Sequence, residues 1–140
     1  MNIELLRNYA LRFVGLPYIW GGDDPMRGFD CSGLVQELLR AFGAHPNYND
    51  DMTAQGLYDA LMKSGQYNVT LPGALAFYGK NFRAISHVAM IIYPDIIIEA
   101  GSGGSATKTV QDAIDQNAYI RIRSLKRRSD LIACIMPKYP

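Results

Sequence analysis

Cys31 stands between Asp30 and Ser32, just ahead of Leu34, Val35, Leu38, Leu39 and Phe42, whose spacing predicts a helix that begins at the cysteine. A thiol in the first turn of a helix faces unpaired backbone N–H groups and the positive end of the helix dipole, and both favour the thiolate. The backbone N–H of Cys31 is also placed to donate to an oxyanion formed beside its own sulfur. Gly28 and Gly33 flank the site and let the backbone come close to a substrate. The competing reading, a small apolar residue opening a helix, sits poorly with Asp and Ser as neighbours. It suits Cys134, inside the apolar run 131–136, much better.

A thiolate nucleophile needs a proton-transfer partner, and there are two histidines, His45 and His87. His45, in Gly43-Ala44-His45-Pro46, reads as a solvated residue past a helix end. His87 opens a strand at Ser86-His87-Val88-Ala89-Met90, where it can face a helix N-terminus packed on the sheet. A base of this kind is usually held through its second ring nitrogen. Pro94-Asp95 predicts a hairpin turn, so residues whose numbers sum to 188 or 189 lie opposite one another. His87 then falls near residue 101 or 102, within reach of Glu99, the one acid in 96–100. The plain alternative for Glu99 is an edge carboxylate facing solvent.

The elements that must position these groups follow from periodicity. Ile3, Leu6, Ala10 and Phe13 predict a helix over 2–14, and Gly15 ends it. The second helix takes Asp30 as N-cap and Gly43 as its stop. A third, over 53–63, is capped by Thr53 and buries Ala54, Leu57, Leu61 and Met62. Beyond Pro72-Gly73 the pattern changes to short segments rich in Ile, Val and Tyr at 74–78, 87–93, 95–100, 119–123 and 131–136, which read as strands. Helices first and strands afterwards predict an α+β fold, a helical layer on a central antiparallel sheet of about five strands. Residues 101–105, Gly-Ser-Gly-Gly-Ser, read as a flexible loop. With 140 residues, 49% hydrophobic and 19% charged, the chain suits one domain, 1–140.

Composition excludes several classes. Two cysteines and two histidines, dispersed, do not make a zinc site, and the glycine loop lacks the lysine and helix start of a phosphate loop. No metal or cofactor is expected. The apolar runs 90–93 and 96–98 are too short to span a bilayer. The first residues carry an early acid and no apolar core of a secretory signal. Charge is uneven: residues 121–140 hold 6 basic and 1 acidic side chains against 8 and 12 in the rest. Such a basic end could meet an anionic polymer, but no aromatic residues interleave with Arg121, Arg123, Lys126, Arg127 and Arg128, so a solvated strand and turn is expected and no nucleic-acid partner.

Three segments, Leu16-Pro17-Tyr18-Ile19-Trp20-Gly21-Gly22, Gly28-Phe29-Asp30-Cys31-Ser32-Gly33-Leu34-Val35 and Ser86-His87-Val88-Ala89-Met90, resemble in order the NlpC family of papain-like bacterial cell-wall cysteine peptidases. The resemblance runs over roughly residues 3–136. It implies Cys31 as nucleophile and His87 as base, and it places Glu99 at the third polar position, where relatives most often carry His. It puts Tyr18 at the active-site wall, beside the oxyanion. Asp30 matches an acid that can pair with a free substrate amine, and Ser32 and Ser86 match positions near the bound peptide. Pro72-Gly73-Ala74 departs from the pattern, since relatives usually carry an acid there.

The implied activity is hydrolysis of peptidoglycan stem peptides, commonly between D-glutamate and a diamino acid. The implied setting is the cell wall. Delivery would then fall to a phage tail or other machinery, as for a phage lysin, or the protein would be held in the cytoplasm until release. Two alternatives keep the same fold: a non-catalytic wall-binding or phage-tail assembly module, and a thiol acyltransferase.

Overall fold

A computed structural model describes residues 1–140, with twelve elements in the order α1 (Ile3–Leu11), β1 (Asp23–Asp24), β2 (Gly28–Phe29), α2 (Cys31–Ala41), α3 (Ala54–Ser64), β3 (Gln66–Tyr67), β4 (Leu75–Gly79), β5 (Ile85–Tyr93), β6 (Ile96–Ala100), α4 (Val110–Gln116), β7 (Ile120–Ser124) and β8 (Leu131–Met136). Each helix starts where a side chain can accept an orphan N–H. Asn2 accepts from Leu5, Asp30 from Gly33, Thr53 from Gly56 and Thr109 from Asp112. The first helix ends at Leu11, three residues before its expected end. The chain then turns, so that the Gly15 N–H, at φ +95, donates to the Ile120 carbonyl. On α3 the inward position belongs to Tyr58, packed edge-on against Phe77. Met62, expected inside, is exposed, because Leu57, Tyr58 and Leu61 already fill that face.

The main sheet has six strands in the order β3-β8-β4-β5-β6-β7, every pair antiparallel, with β1 and β2 forming a separate ribbon. The α+β architecture is therefore as expected, with one strand more in the sheet. That strand, Gln66–Tyr67, is exposed along its two residues and has no alternation to betray it. Helix α4 is a second addition; its seven residues are too few for a clear period, although the reciprocal Thr109–Asp112 capping box marks its start.

The two faces of the sheet are unequal. The larger apolar cluster joins Leu75, Phe77, Val88, Met90, Ile98 and Ile135 to Leu34, Leu38 and Leu57 of the helices. The opposite face carries a smaller cluster of Ala74, Ala76, Tyr78, Ala89, Ile91, Ile97, Leu125 and Cys134. Cys134 is thus a packing residue, and burial pushes its thiol pKa up.

In the β5–β6 hairpin, Met90 pairs with Ile98 and Ile91 with Ile97, each pair summing to 188, around Asp95 at φ +60. Between β4 and β5 the register slips: Tyr78 faces His87, but the next position, Gly79, faces Ile85. Ser86 is the extra residue of that bulge, immediately before the histidine.

Candidate active site

Asp30 sets the cysteine in place. Its backbone is extended, and one carboxylate oxygen accepts the N–H of Gly33 at 2.8 Å while the other accepts that of Gly21 at 3.1 Å. Its carbonyl accepts from Leu34. The cap leaves the N–H groups of Cys31 and Ser32 in the first turn of the helix, without backbone partners. The glycines serve the protein's own backbone more than a substrate's. A Cβ on Gly33 would lie 2.0 Å from the Gly22 carbonyl oxygen, and one on Gly28 2.4 Å from that of Pro17. Burial raises the Asp30 pKa, against the lowering effect of the Gly33, Gly21 and Ser32 hydrogen bonds.

His87 comes from the central strand, just after the bulge, with its ring tilted against Tyr78 at 5.6 Å between centroids. Its Nε2 lies 2.6 Å from Oε2 of Glu99, and Cys31 borders the same cleft, close enough to the imidazole to help raise its pKa. Carrying the hairpin sum of 188 onward sets Glu99 beside residue 89, so the carboxylate meets His87 diagonally, on the same face of the sheet. His87 and Glu99 are 6% and 1% exposed. Burial alone would lower the His87 pKa, but the hydrogen bonds to Cys31 and Glu99, with their charges, outweigh it and raise the value to about 9. For Glu99, burial raises the pKa, and the His87 hydrogen bond and the nearby cations more than reverse that, so it stays lowered.

Those cations come from the basic end of the chain. Arg123 Nε lies 3.8 Å and Arg127 Nη2 3.4 Å from Oε1 of Glu99, the oxygen that His87 does not use. Arg128 closes a two-pronged pair on Asp130 at 2.9 and 2.6 Å and lies over the Tyr78 ring. The expectation of a solvated basic strand and turn is corrected for these three residues. Glu99 stands directly opposite Arg121 across β6 and β7, and that pairing brings the basic strand alongside it. Nothing local in the sequence signals this, because Arg127 and Glu99 are 28 residues apart.

Two clefts meet at the sulfur. One, of about 290 Å³, runs past Tyr18, Trp20, Asp30, Ser32, Gln55 and Ser86. The other, of about 110 Å³, is walled by His87, Glu99, Gly101–Gly103, Arg127 and Arg128. Cys31, Tyr18 and Ser86 border both. Tyr18 is buried, and burial, with Cys31 and Asp30 adding to it, raises its phenol pKa. Gly103 packs against that ring so closely that a Cβ would sit 2.3 Å from Cδ1. The glycine-rich loop is tied down behind it. The Gly104 N–H donates to the Thr107 hydroxyl, and the Thr107 carbonyl accepts from Trp20.

The structure therefore brings together Cys31, His87 and Glu99, and sets Tyr18, Asp30, Ser32 and Ser86, the positions the resemblance implies, around them. His45 is elsewhere. Its ring bridges the buried Gln36 and the Asn47 N–H, fixing the loop after α2. No three side chains of His, Cys, Asp or Glu lie close enough to hold a metal ion.

Residues 15–124 match the model of the NlpC/P60 family. The chain belongs to that family. Among curated relatives, the bifunctional muramidase/DL-endopeptidase CwlT of Bacillus subtilis is 37% identical over 91 residues, which is 64% of this chain and 26% of CwlT. The probable peptidoglycan endopeptidase LytE of the same organism is 31% identical over 127 residues, 89% of this chain and 34% of LytE. The NlpC/P60 chain thus spans about a third or less of the relatives it matches.

Solved structures share the fold. An NlpC/P60 family protein from Bacillus cereus superposes with a TM-score of 0.74 at 21% identity, covering 100% of this chain and 41% of the other. RipD of Mycobacterium tuberculosis, described as a non-catalytic NlpC/p60 domain protein adapted to peptidoglycan binding, superposes at 0.67 with 18% identity, covering 97% of each chain. In this NlpC/P60 chain no helix is long and apolar enough to cross a membrane.

Proposed function

We propose that the protein is a cysteine endopeptidase acting on peptidoglycan stem peptides. One observation carries the reading: the buried Glu99 carboxylate hydrogen-bonds His87, and that imidazole lines a cleft with Cys31, which borders both clefts. The Cys31 proton passes to His87, and the thiolate attacks the carbonyl carbon of the scissile amide. The helix-tip N–H of Cys31 receives the oxyanion, with Tyr18 beside it. Collapse breaks the C–N bond as the imidazolium gives its proton to the leaving amine. Water then adds to the thioester while His87 takes its proton, and the second collapse releases the acid and restores the thiol. Glu99 holds the imidazolium throughout, which a neutral partner would do less firmly.

The substrate class follows the names of relatives, a DL-endopeptidase and a peptidoglycan endopeptidase among them. The bond between D-glutamate and a diamino acid is the one the family resemblance implies. The Asp30 side of the groove would take the amine-bearing end of the peptide, with Ser32 and Ser86 along its path.

The test is release of stem-peptide fragments from purified peptidoglycan, followed by mass spectrometry. Wild type should release them, and Cys31→Ala should reduce the rate by at least about three orders of magnitude. Equal digestion by the alanine variant would overturn the assignment.

RipD favours a second reading, a wall-binding module without catalysis. An assembled Cys31–His87–Glu99 set speaks against it, because a binding module has no use for a buried imidazole held between a thiol and a carboxylate. Peptidoglycan binding without any released fragment would support that module, and peptides transferred to an added amine would support acyl transfer.

A further inference from the structure

The groove is electrically lopsided about the sulfur. In the larger cleft the one ionisable side chain besides Cys31 and Tyr18 is Asp30, with the carboxylate of Asp51 near enough to act on it. The smaller cleft gathers cations. Glu99 is engaged on both oxygens, by His87 on one and by Arg123 and Arg127 on the other, and Arg128 is closed on Asp130. Three guanidinium groups thus face two carboxylates, and one positive charge stays uncompensated even when His87 is neutral. It belongs to Arg127, whose side chain is 42% exposed and touches Glu99 through Nη2 alone at 3.4 Å, leaving Nε and Nη1 free. The opposite wall is Gly101–Gly103, which offers backbone and little bulk.

We propose that Arg127 is a specificity residue that binds a carboxylate on the leaving-group residue of the substrate. The proposal rests on the peptidase reading for its direction. The leaving nitrogen must lie beside His87 to receive its proton, so the residue carrying that nitrogen enters the smaller cleft, where Arg127 waits. A planar guanidinium with two free N–H edges matches a carboxylate in two-pronged fashion. About 110 Å³ of space beside it admits such a group.

The experiment is binding to the Cys31→Ala protein, followed by calorimetry. Two stem tetrapeptides are compared that differ in one group: the side-chain carboxyl of the diaminopimelate after γ-D-glutamate is either free or a carboxamide. The free acid should bind roughly tenfold more tightly. In Cys31→Ala/Arg127→Met the two should bind within about twofold of each other, with carboxamide binding unchanged, and Arg127→Lys should keep part of the preference. Equal binding of the pair to the Cys31→Ala protein, no binding of either at millimolar peptide, or a preference that survives Arg127→Met would each overturn the proposal. So would an equal loss for both peptides, which would mean that Arg127 acts through Glu99 alone. Wild-type hydrolysis is scored separately. A protein that discriminates the pair yet cleaves neither would defeat the peptidase reading and leave Arg127 as the carboxylate-binding residue of a site that holds the peptide without a leaving group.

Discussion

Glu99 divides its two oxygens between opposite kinds of partner: Oε2 holds His87 at 2.6 Å, while Oε1 faces Arg127 at 3.4 Å and Arg123 at 3.8 Å. A carboxylate that is 1% exposed cannot stay ionised beside a single histidine without cost, and the two arginines supply the remaining compensation. The base of the proposed mechanism is thus held by a four-residue electrostatic chain rather than by a pair.

The first prediction concerns His87 itself. With two histidines in the chain, its titration is readable by NMR. The midpoint should be near 9 in wild type and should fall in Cys31→Ala and in Glu99→Gln, since those partners raise it. A wild-type midpoint at or below the ordinary 6.5 would contradict the geometry.

Stability should follow the same groups. His87 has a raised value, so its contribution is fully present below about 6.5, the unfolded value, and is lost as the pH climbs through about 9. Glu99 has a lowered value, so its contribution is present above 4.5 and is lost as the pH falls through the depressed folded value. Urea midpoints should therefore be highest between about 4.5 and 6.5 and decline toward pH 9. In Glu99→Gln that alkaline decline should be shallower.

Glu99→Gln should also slow hydrolysis by roughly one to three orders of magnitude, mainly in kcat, because the imidazolium loses its counter-charge and its fixed tautomer. Arg123→Ala lies one step further out. It should cost about 1 kcal/mol and move the acid limb of both stability and activity to higher pH, since Glu99 would then protonate more easily. An unchanged acid limb would show that Arg127 suffices.

Thiol labelling should separate the cysteines. Iodoacetamide should modify Cys31, which opens on both clefts, at least about a hundredfold faster than the buried Cys134. Peptide mapping after brief exposure reads the ratio directly.

Gly33→Ala should destabilise the fold by more than about 2 kcal/mol, because its Cβ would press on the Gly22 carbonyl at 2.0 Å and on the Asp30 cap at 2.9 Å. Gly103→Ala should be milder in stability yet damaging to kcat/KM, since the displaced neighbour is the Tyr18 ring beside the sulfur. Thermal melts and steady-state kinetics on both variants give the comparison.

Much of the site was legible in the sequence because its signals are local. A cap, a cysteine and a helical period lie within a dozen residues, and the hairpin sum of 188 brought Glu99 within reach of His87 from one turn. Met62 was misplaced because it adjoins Leu61 on the apolar side of the helix, and Leu57, Tyr58 and Leu61 fill the face against the sheet.

The amino-acid order alone thus determined the cysteine at its helix tip, the histidine at its strand mouth, the α+β layout and the register of the central hairpin, since each depends on neighbours along the chain. Tertiary structure decided the rest: that β7 lies beside β6, that Arg123 and Arg127 consequently share Glu99, and that the groove is acidic on one side of Cys31 and basic on the other. The reason is physical. Charge interactions depend on distance through space, and two carboxylate oxygens take whichever cations strand order delivers, however far away those cations stand in sequence.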